Sequence, residues 1–274
     1  MCAGVPRESM PSTDSVLLDV EDGVATVTLN EPDRRNAFSA AVQSGIREAL
    51  DEVEGRDDAR VVVFEGAGEA FSAGGDIEKM QEWLADDTPP AERAREIEEG
   101  MSLMQRVDEF PLYTVAKIDG PAVGAGAVLS LACDIQLASD RSVVGFVFRN
   151  VGLAVDNGAS YFLPRVVGDN VAKELAATGE LVGAERAREL GLLNHVYSTE
   201  EFEAEADALV EEIATGPTVA LRHTKRLIDR GHDGDLADAL ADEAIAQAAV
   251  METDDHREGV EAFLEKRDPE FEGR

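Results

Sequence analysis

The order of strand and helix signals along the chain limits its fold more than any other feature of the sequence. Before Asp169, short apolar runs alternate with stretches of helical periodicity. The run Val61–Phe64 consists of four apolar residues, which is typical of a strand buried on both faces. From Asp169 onward the strand signals almost stop and predicted helices follow one another. The pattern predicts an α/β body followed by a helical C-terminal segment.

The start of the chain shows how these elements are bounded. Val16–Val20 and Val24–Leu29 flank Glu21-Asp22-Gly23, which predicts a hairpin of two strands. The next segment has helical spacing, with Ser39 as the predicted N-cap and Gly55 as the stop.

Acidic and basic residues are strongly out of balance. The chain has 57 Asp and Glu against 25 Lys and Arg, a formal net charge of −32. The negative electrostatic field of such a chain makes nucleic acid a poor partner. An acidic excess of this kind is typical of a solvated acidic surface. Proteins of high-salt cytoplasms have such surfaces, so we expect a halophilic source.

The small number of cysteines and the lack of long apolar runs indicate a cytoplasmic protein. Cys2 and Cys133 are the only cysteines, so no disulfide framework is expected. Residues 1–14 lack a signal-peptide core, and no run reaches the roughly 18 apolar residues of a membrane span. The four histidines lack metal-ligand spacing, so we expect no metal site.

Two glycine-rich segments, Gly66–Ile77 and Asp119–Ala127, each follow a predicted buried strand and lead into a helix. Free amides at a helix start can bind an anion or a polarised carbonyl oxygen. A dinucleotide phosphate is one alternative, although Phe71 replaces the third glycine of that fingerprint. Another is that these glycines only form turns and allow close packing.

Several motifs together resemble the crotonase (enoyl-CoA hydratase/isomerase) superfamily over nearly the whole chain. They are Arg35–Phe38, Phe71–Ile77, Ile118–Ile135, Leu163–Arg165 and Ala262–Phe271. The resemblance implies an α/β fold with a spiral core of ββα units and a C-terminal α-helical trimerisation segment. The expected divisions are a disordered leader at 1–14, an acyl-CoA-binding core at 15–198 and a helical oligomerisation region at 199–274. The expected partners are an acyl-CoA thioester and further copies of the chain, as a homotrimer or a dimer of trimers.

The resemblance also assigns roles to individual residues. The backbone amides of Gly75 and Ala125 are expected to form an oxyanion hole for the thioester carbonyl. Coenzyme A, as part of the substrate and not as a separate cofactor, is expected to contact Arg34, Arg35, Ala37, Ala73, Asp76, Ile77, Phe263 and Lys266. From the residues alone, Asp76 is also a predicted N-cap, and each base has a plain surface role as its alternative.

The acids of the site decide which reaction is expected. Hydratases of this family use two glutamates, but the matching positions here are Val128 and Phe148. Asp156 stands where isomerase branches, such as the phenylacetate-pathway ring-epoxide isomerase, have a proton-transferring aspartate. We therefore expect double-bond isomerisation of an enoyl-CoA. The alternatives are a hydratase with other acids, a non-catalytic acyl-CoA-binding homologue and, for Asp156 itself, a cap of the helix near Gly158.

Overall fold

A computed structural model describes residues 15–232 and 234–274, so Cys2 and the predicted leader at 1–14 lie outside the described residues. The strands are β1 (Val16–Glu21), β2 (Val24–Leu29), β3 (Val61–Gly66), β4 (Tyr113–Ile118), β5 (Pro121–Val123), β6 (Ile135–Ser139), β7 (Val143–Gly145), β8 (Leu181–Gly183) and β9 (His195–Tyr197). The helices are α1 (Ala40–Glu54), α2 (Ile77–Leu84), α3 (Pro90–Asp108), α4 (Ala125–Ala132), α5 (Ala159–Val167), α6 (Asp169–Thr178), α7 (Ala184–Glu189), α8 (Phe202–Ala214), α9 (Thr218–Gly231), α10 (Leu236–Val250) and α11 (Asp254–Glu265).

The strands form two sheets. The larger sheet has the order β1-β2-β3-β4-β6-β9, and the smaller has the order β5-β7-β8. The β1–β2 and β7–β8 pairs are antiparallel, whereas the other pairs are parallel. Parallel neighbours require crossovers, which α1 supplies between β2 and β3 and α4 supplies between β4 and β6. The α/β body with repeated ββα units is confirmed.

The predicted ends of the first elements are confirmed. β1 and β2 are paired up to Glu21 and Val24, and Asp22 and Gly23 both have positive φ in the turn between them. The Ser39 side chain accepts a hydrogen bond from the amide of Val42 and so caps α1.

The apolar run in β3 is buried on both faces, as its sequence predicts. Val62 and Phe64 lie in the main core, together with α1 and α4. Val61 and Val63 lie in a second core, where α8 covers the other face of the sheet with Phe202, Ala206, Val210 and Ala214. Alternate residues of one strand therefore join the helical C-terminal part to the body.

The helical C-terminal segment is confirmed, with two strands that the sequence does not predict. β8 and β9 lie beyond Asp169 and have three residues each. Runs of this length are too short to show a period, and they become strands by pairing with β7 and β6. In the part of the chain that the structure describes, no helix is long and apolar enough to cross a bilayer.

Candidate active site

The two glycine-rich loops run side by side in parallel. The Ser72 amide donates to the Pro121 carbonyl at 3.1 Å, and the Val123 amide donates to the Ser72 carbonyl at 2.9 Å. Two residues further on, Gly74 and Gly124 meet: a Cβ on Gly74 would lie 2.5 Å from the Val123 carbonyl oxygen. The next residue of each loop is Gly75 or Ala125, so the pairing makes the two predicted amides neighbours.

These two amides remain available as donors. No described residue accepts a hydrogen bond from the amide of Gly75 or of Ala125. Ala125 is the first residue of α4, where amides have no intrahelical acceptor. A Cβ on Gly124 would lie 4.0 Å from the Gly75 nitrogen, which shows how closely the backbones approach. Backbone amides without an acceptor are the kind of donor that stabilises a negatively charged oxygen.

The dinucleotide alternative lacks the helix that it requires. Its glycine pair, Gly66 and Gly68, should lead directly into a helix whose amides bind the pyrophosphate. The next helix, α2, begins only at Ile77, beyond Gly74 and Gly75.

A buried asparagine that the sequence argument did not single out holds the first loop. Asn36 is fully buried, and its side-chain amide donates to the carbonyls of Ala67 at 3.0 Å and Ala70 at 2.7 Å. The Asn36 carbonyl accepts a hydrogen bond from the Ser72 hydroxyl at 2.7 Å. Asn36 therefore joins the segment before α1 to the first half of the loop. The Arg35-Asn36-Ala37-Phe38 motif marks the place but does not indicate this role.

The predicted coenzyme A residues of the 34–37 segment and the first loop lie together. Arg34 donates to Asp76 at 2.8 Å and to Glu78 at 2.9 Å, while Asp76 caps α2 through the amides of Glu78 and Lys79. The N-cap role predicted for Asp76 is confirmed. Ala37 is buried, whereas Ala73 and Ile77 are exposed at the rim of the loop. Arg35 is exposed and pairs with no carboxylate among the described residues.

The other two predicted coenzyme A residues are at the far end of the chain. Phe263 and Lys266 lie at the C-terminal end of α11, and the Phe263 ring is 83 % exposed. Within residues 15–232 and 234–274, no hydrogen bond or ion pair joins the Lys266 side chain to the glycine-rich loops. Phe263 instead lines a groove formed by residues of α9 and α11 and the chain segments beside them, to which neither glycine-rich loop contributes a residue.

Asp156 is a half-buried carboxylate at the entrance to α5. Burial raises its pKa, and a hydrogen bond that its Oδ1 accepts from the Asn157 side-chain amide at 2.6 Å acts in the opposite direction. The capping alternative is wrong: Gly158 is the N-cap of α5, and no side chain bonds to the first amides of that helix. Val155, the preceding residue, packs on the same apolar cluster that contains Ala125.

The two positions that carry acids in hydratases are apolar and buried. Val128 lies on α4, and Phe148 lies in the short 3-10 helix Val147–Val151. Both side chains belong to the main core. Neither position can supply or accept a proton.

Polar groups elsewhere in the body make contacts that hold the fold together. The Asp134 side chain accepts hydrogen bonds from the Thr114 amide at 2.7 Å and from Lys225 at 2.8 Å, which ties α9 to β4. The described residues contain no cluster of three or more His, Cys, Asp or Glu that could hold a metal ion. Cys133 is a buried free thiol whose pKa is raised by burial.

The chain is similar in sequence and structure to known proteins. The family described as Enoyl-CoA hydratase/isomerase matches residues 19–274. The chain is 37 % identical over 257 residues to enoyl-CoA hydratase domain-containing protein 2, mitochondrial, of Mus musculus, covering 92 % of this chain and 85 % of the relative. It is 35 % identical over 261 residues to 1,2-epoxyphenylacetyl-CoA isomerase of Escherichia coli, covering 94 % and 98 %. The crystal structure of an enoyl-CoA hydratase from Bacillus anthracis superposes with a TM-score of 0.88 at 30 % identity, covering 95 % of this chain and 100 % of that one.

Proposed function

The chain belongs to the enoyl-CoA hydratase/isomerase family, and on that premise we propose that it isomerises the double bond of an enoyl-CoA, with Asp156 as the proton shuttle. The observation that carries the proposal is which carboxylate this chain retains at the positions where the family has its acids. Val128 and Phe148 occupy the positions of both hydratase acids and carry no carboxylate. Asp156 is a half-buried carboxylate with a raised pKa. A reaction that needs one carboxylate and an oxyanion hole fits this set.

The proposed reaction moves one proton. The amides of Gly75 and Ala125 donate to the thioester oxygen, which gains negative charge as the enolate forms. The Asp156 carboxylate takes a proton from C2 of a 3-enoyl thioester, the C3–C4 double bond shifts to C2–C3, and protonated Asp156 returns the proton to C4. A raised pKa suits both halves of the cycle, because the same group must accept and donate near neutral pH. Only residues of this chain take part, and coenzyme A enters as part of the substrate.

The coenzyme A contacts are part of the same proposal. Arg34 is already held by Asp76 and Glu78, so Arg35 is the base of this segment that is available to a phosphate. Ala37, Ala73, Asp76 and Ile77 would line the approach to the oxyanion hole. Phe263 and Lys266 would reach the nucleotide bound by a neighbouring subunit, because Phe263 is exposed and lines a groove to which neither loop of its own chain contributes.

We further propose that the chain assembles as a homotrimer or a dimer of trimers. Large apolar side chains are exposed on each of the last three helices, which is typical of a surface that contacts a partner. They are Ile228, Leu236, Leu240, Ile245, Phe263 and Leu264. Burial of these side chains against other copies would make the region at 199–274 the oligomerisation segment. Residence in the cytoplasm stays a prediction from the sequence.

Replacement of Asp156 by Asn tests the proposed reaction. The variant should lose about 10²–10⁴ of its rate with a 3-enoyl-CoA, because the amide can no longer carry the proton. Turnover is followed by the ultraviolet absorbance of the conjugated thioester, and a 2-enoyl-CoA is tested in parallel for hydration. Asp169→Asn, an exposed carboxylate at the start of α6, is the matched control and should keep full activity. Unchanged isomerisation in Asp156→Asn, or hydration as the main activity of the wild type, would contradict the proposal.

A further inference from the structure

We propose that Asn157 is a positioning residue that holds the Asp156 carboxylate in place and anchors it to helix α3; this rests on the proposed function of Asp156. Asn157 makes two contacts in different directions. Its side-chain amide donates to Asp156 Oδ1 at 2.6 Å, and its backbone amide donates to the sulfur of Met101 at 3.1 Å. Met101 lies in the middle of α3, so the residue beside the carboxylate is tied to a second element.

The backbone explains how adjacent side chains can meet in this way. Asn157 has a φ of +53°, in the left-handed region that asparagine tolerates better than most residues. Gly158 follows with a φ of +87°, and a Cβ there would lie 2.8 Å from the Phe162 ring. The Ala159 amide then donates to the Asp156 carbonyl at 2.9 Å and closes the turn. The Asn-Gly pair is thus required by the conformation of the turn itself.

The contact leaves one carboxylate oxygen for chemistry. Oδ1 of Asp156 is occupied by Asn157, whereas Oδ2 accepts no hydrogen bond from any residue in the described parts of the chain. A carboxylate fixed through one oxygen presents the other in a defined direction, which proton transfer between C2 and C4 needs. Without this contact, the side chain could rotate about its χ angles in the space between α3 and α5.

Asn157 also sets the proton affinity of Asp156. Burial raises the pKa of Asp156, the amide of Asn157 lowers it, and no charged side chain of the described residues adds to these two causes. From α3 the neighbour is the neutral Met101, and from α5 it is the backbone amide of Ala159. Loss of the amide donor should therefore raise the pKa of Asp156 further.

The test is the pH dependence of isomerisation in Asn157→Gly, in which the left-handed backbone is kept and the donor is removed. The acidic limb of the pH profile of kcat/KM should move to higher pH by about one unit, since a hydrogen bond to a charged group is lost. On the steep acidic part of the profile, where the rate changes tenfold per pH unit, the rate should fall about tenfold, and the loss should become smaller as the pH rises toward 9. Asn157→Asp has almost the same shape but places a like charge beside Asp156, so its limb should move further in the same direction.

A second readout does not depend on turnover. In ligand-free protein labelled at aspartate carboxyl carbons, the NMR resonance that is missing from Asp156→Asn identifies Asp156. Its pKa should rise in Asn157→Gly. An unchanged pKa would overturn the positioning role even if Asp156→Asn is inactive. A uniform loss of kcat at all pH values, with no movement of the limb, would also overturn it, because that is the result of a merely structural residue. If Asp156→Asn stays active while the resonance still moves, the proposed function fails and the contact to Asn157 stands.

Discussion

Gly74 lies directly before the predicted donor Gly75 and is in close contact with the second loop. Its φ is +88°, and an added methyl group would lie 2.5 Å from the Val123 carbonyl oxygen. Gly74→Ala should separate the loops and lower isomerisation by about 10²-fold or more, since one oxyanion donor would be displaced. Gly191→Ala is the matched control: its φ is +84°, but its nearest neighbour would be 3.7 Å away. Steady-state kinetics and thermal unfolding of both variants check this, and equal activity in the two would contradict it.

The sequence predicts candidate reacting groups, but it does not predict the residues that hold them. Gly75, Ala125 and Asp156 stand in recognisable motifs, and the structure makes the first two neighbours. The sequence does not indicate that Asn36 holds the first loop or that Asn157 holds Asp156. Their contacts depend on a left-handed backbone and on chain segments that are distant in sequence. The Asn-Gly pair at 157–158 was a usable signal, since both residues tolerate positive φ.

The contact between α3 and α9 contains a carboxyl group whose ionisation should cost stability. Burial, together with the nearby charge of Asp229, raises the pKa of Asp108 to about 6, although Lys225 acts to lower it. The folded state therefore binds this proton more tightly than the unfolded state, and stability is lost as pH rises from about 4 to 6. Asp108→Asn should stabilise the protein by about 1 kcal/mol at pH 7.5, after discounting for partial exposure, and by almost nothing at pH 4.

Urea unfolding at the two pH values measures this effect. Glu98→Gln, an exposed carboxylate on the same helix, removes the same charge from solvent-facing surface and serves as the control. A gain in Asp108→Asn that is equal at pH 4 and pH 7.5, or equal to that of Glu98→Gln, would contradict the prediction.

Among the elements, those with a visible period were predictable and the shortest were not. β1, β2, β3 and α1 follow directly from alternation, apolar runs and caps. β5, β7, β8 and β9 have three residues each, so they show no period, and they exist because the loops are held against one another. β5 is the clearest case, since it extends the parallel contact that brings the two glycine-rich loops together.

For the whole molecule, the charge balance allows no arrangement of ion pairs that neutralises the surface. Even if each of the 25 basic residues paired with one carboxylate, 57 − 25 = 32 acidic residues would remain uncompensated. Some bases are shared, since Arg34 binds both Asp76 and Glu78 and Lys117 binds both Glu203 and Asp207, but sharing a base does not change the net charge. Most carboxylates therefore repel one another across the surface, and this repulsion favours unfolding.

Salt should relieve that repulsion, which makes stability a test of the predicted halophilic source. The Debye length falls from about 10 Å at 0.1 M to about 3 Å at 1 M, below the spacing of most surface charges. Raising KCl from 0.1 M to 2 M at pH 7.5 should stabilise the fold by on the order of 2 kcal/mol, or about 5 °C in Tm. Sorbitol at equal osmolality controls for solvent exclusion and should give a smaller gain. At pH 5 the gain from KCl should shrink, because part of the carboxylate charge is then neutralised. A protein that is equally stable and fully active at 0.1 M and 2 M KCl would show that its acidic surface serves solubility and not life in high salt.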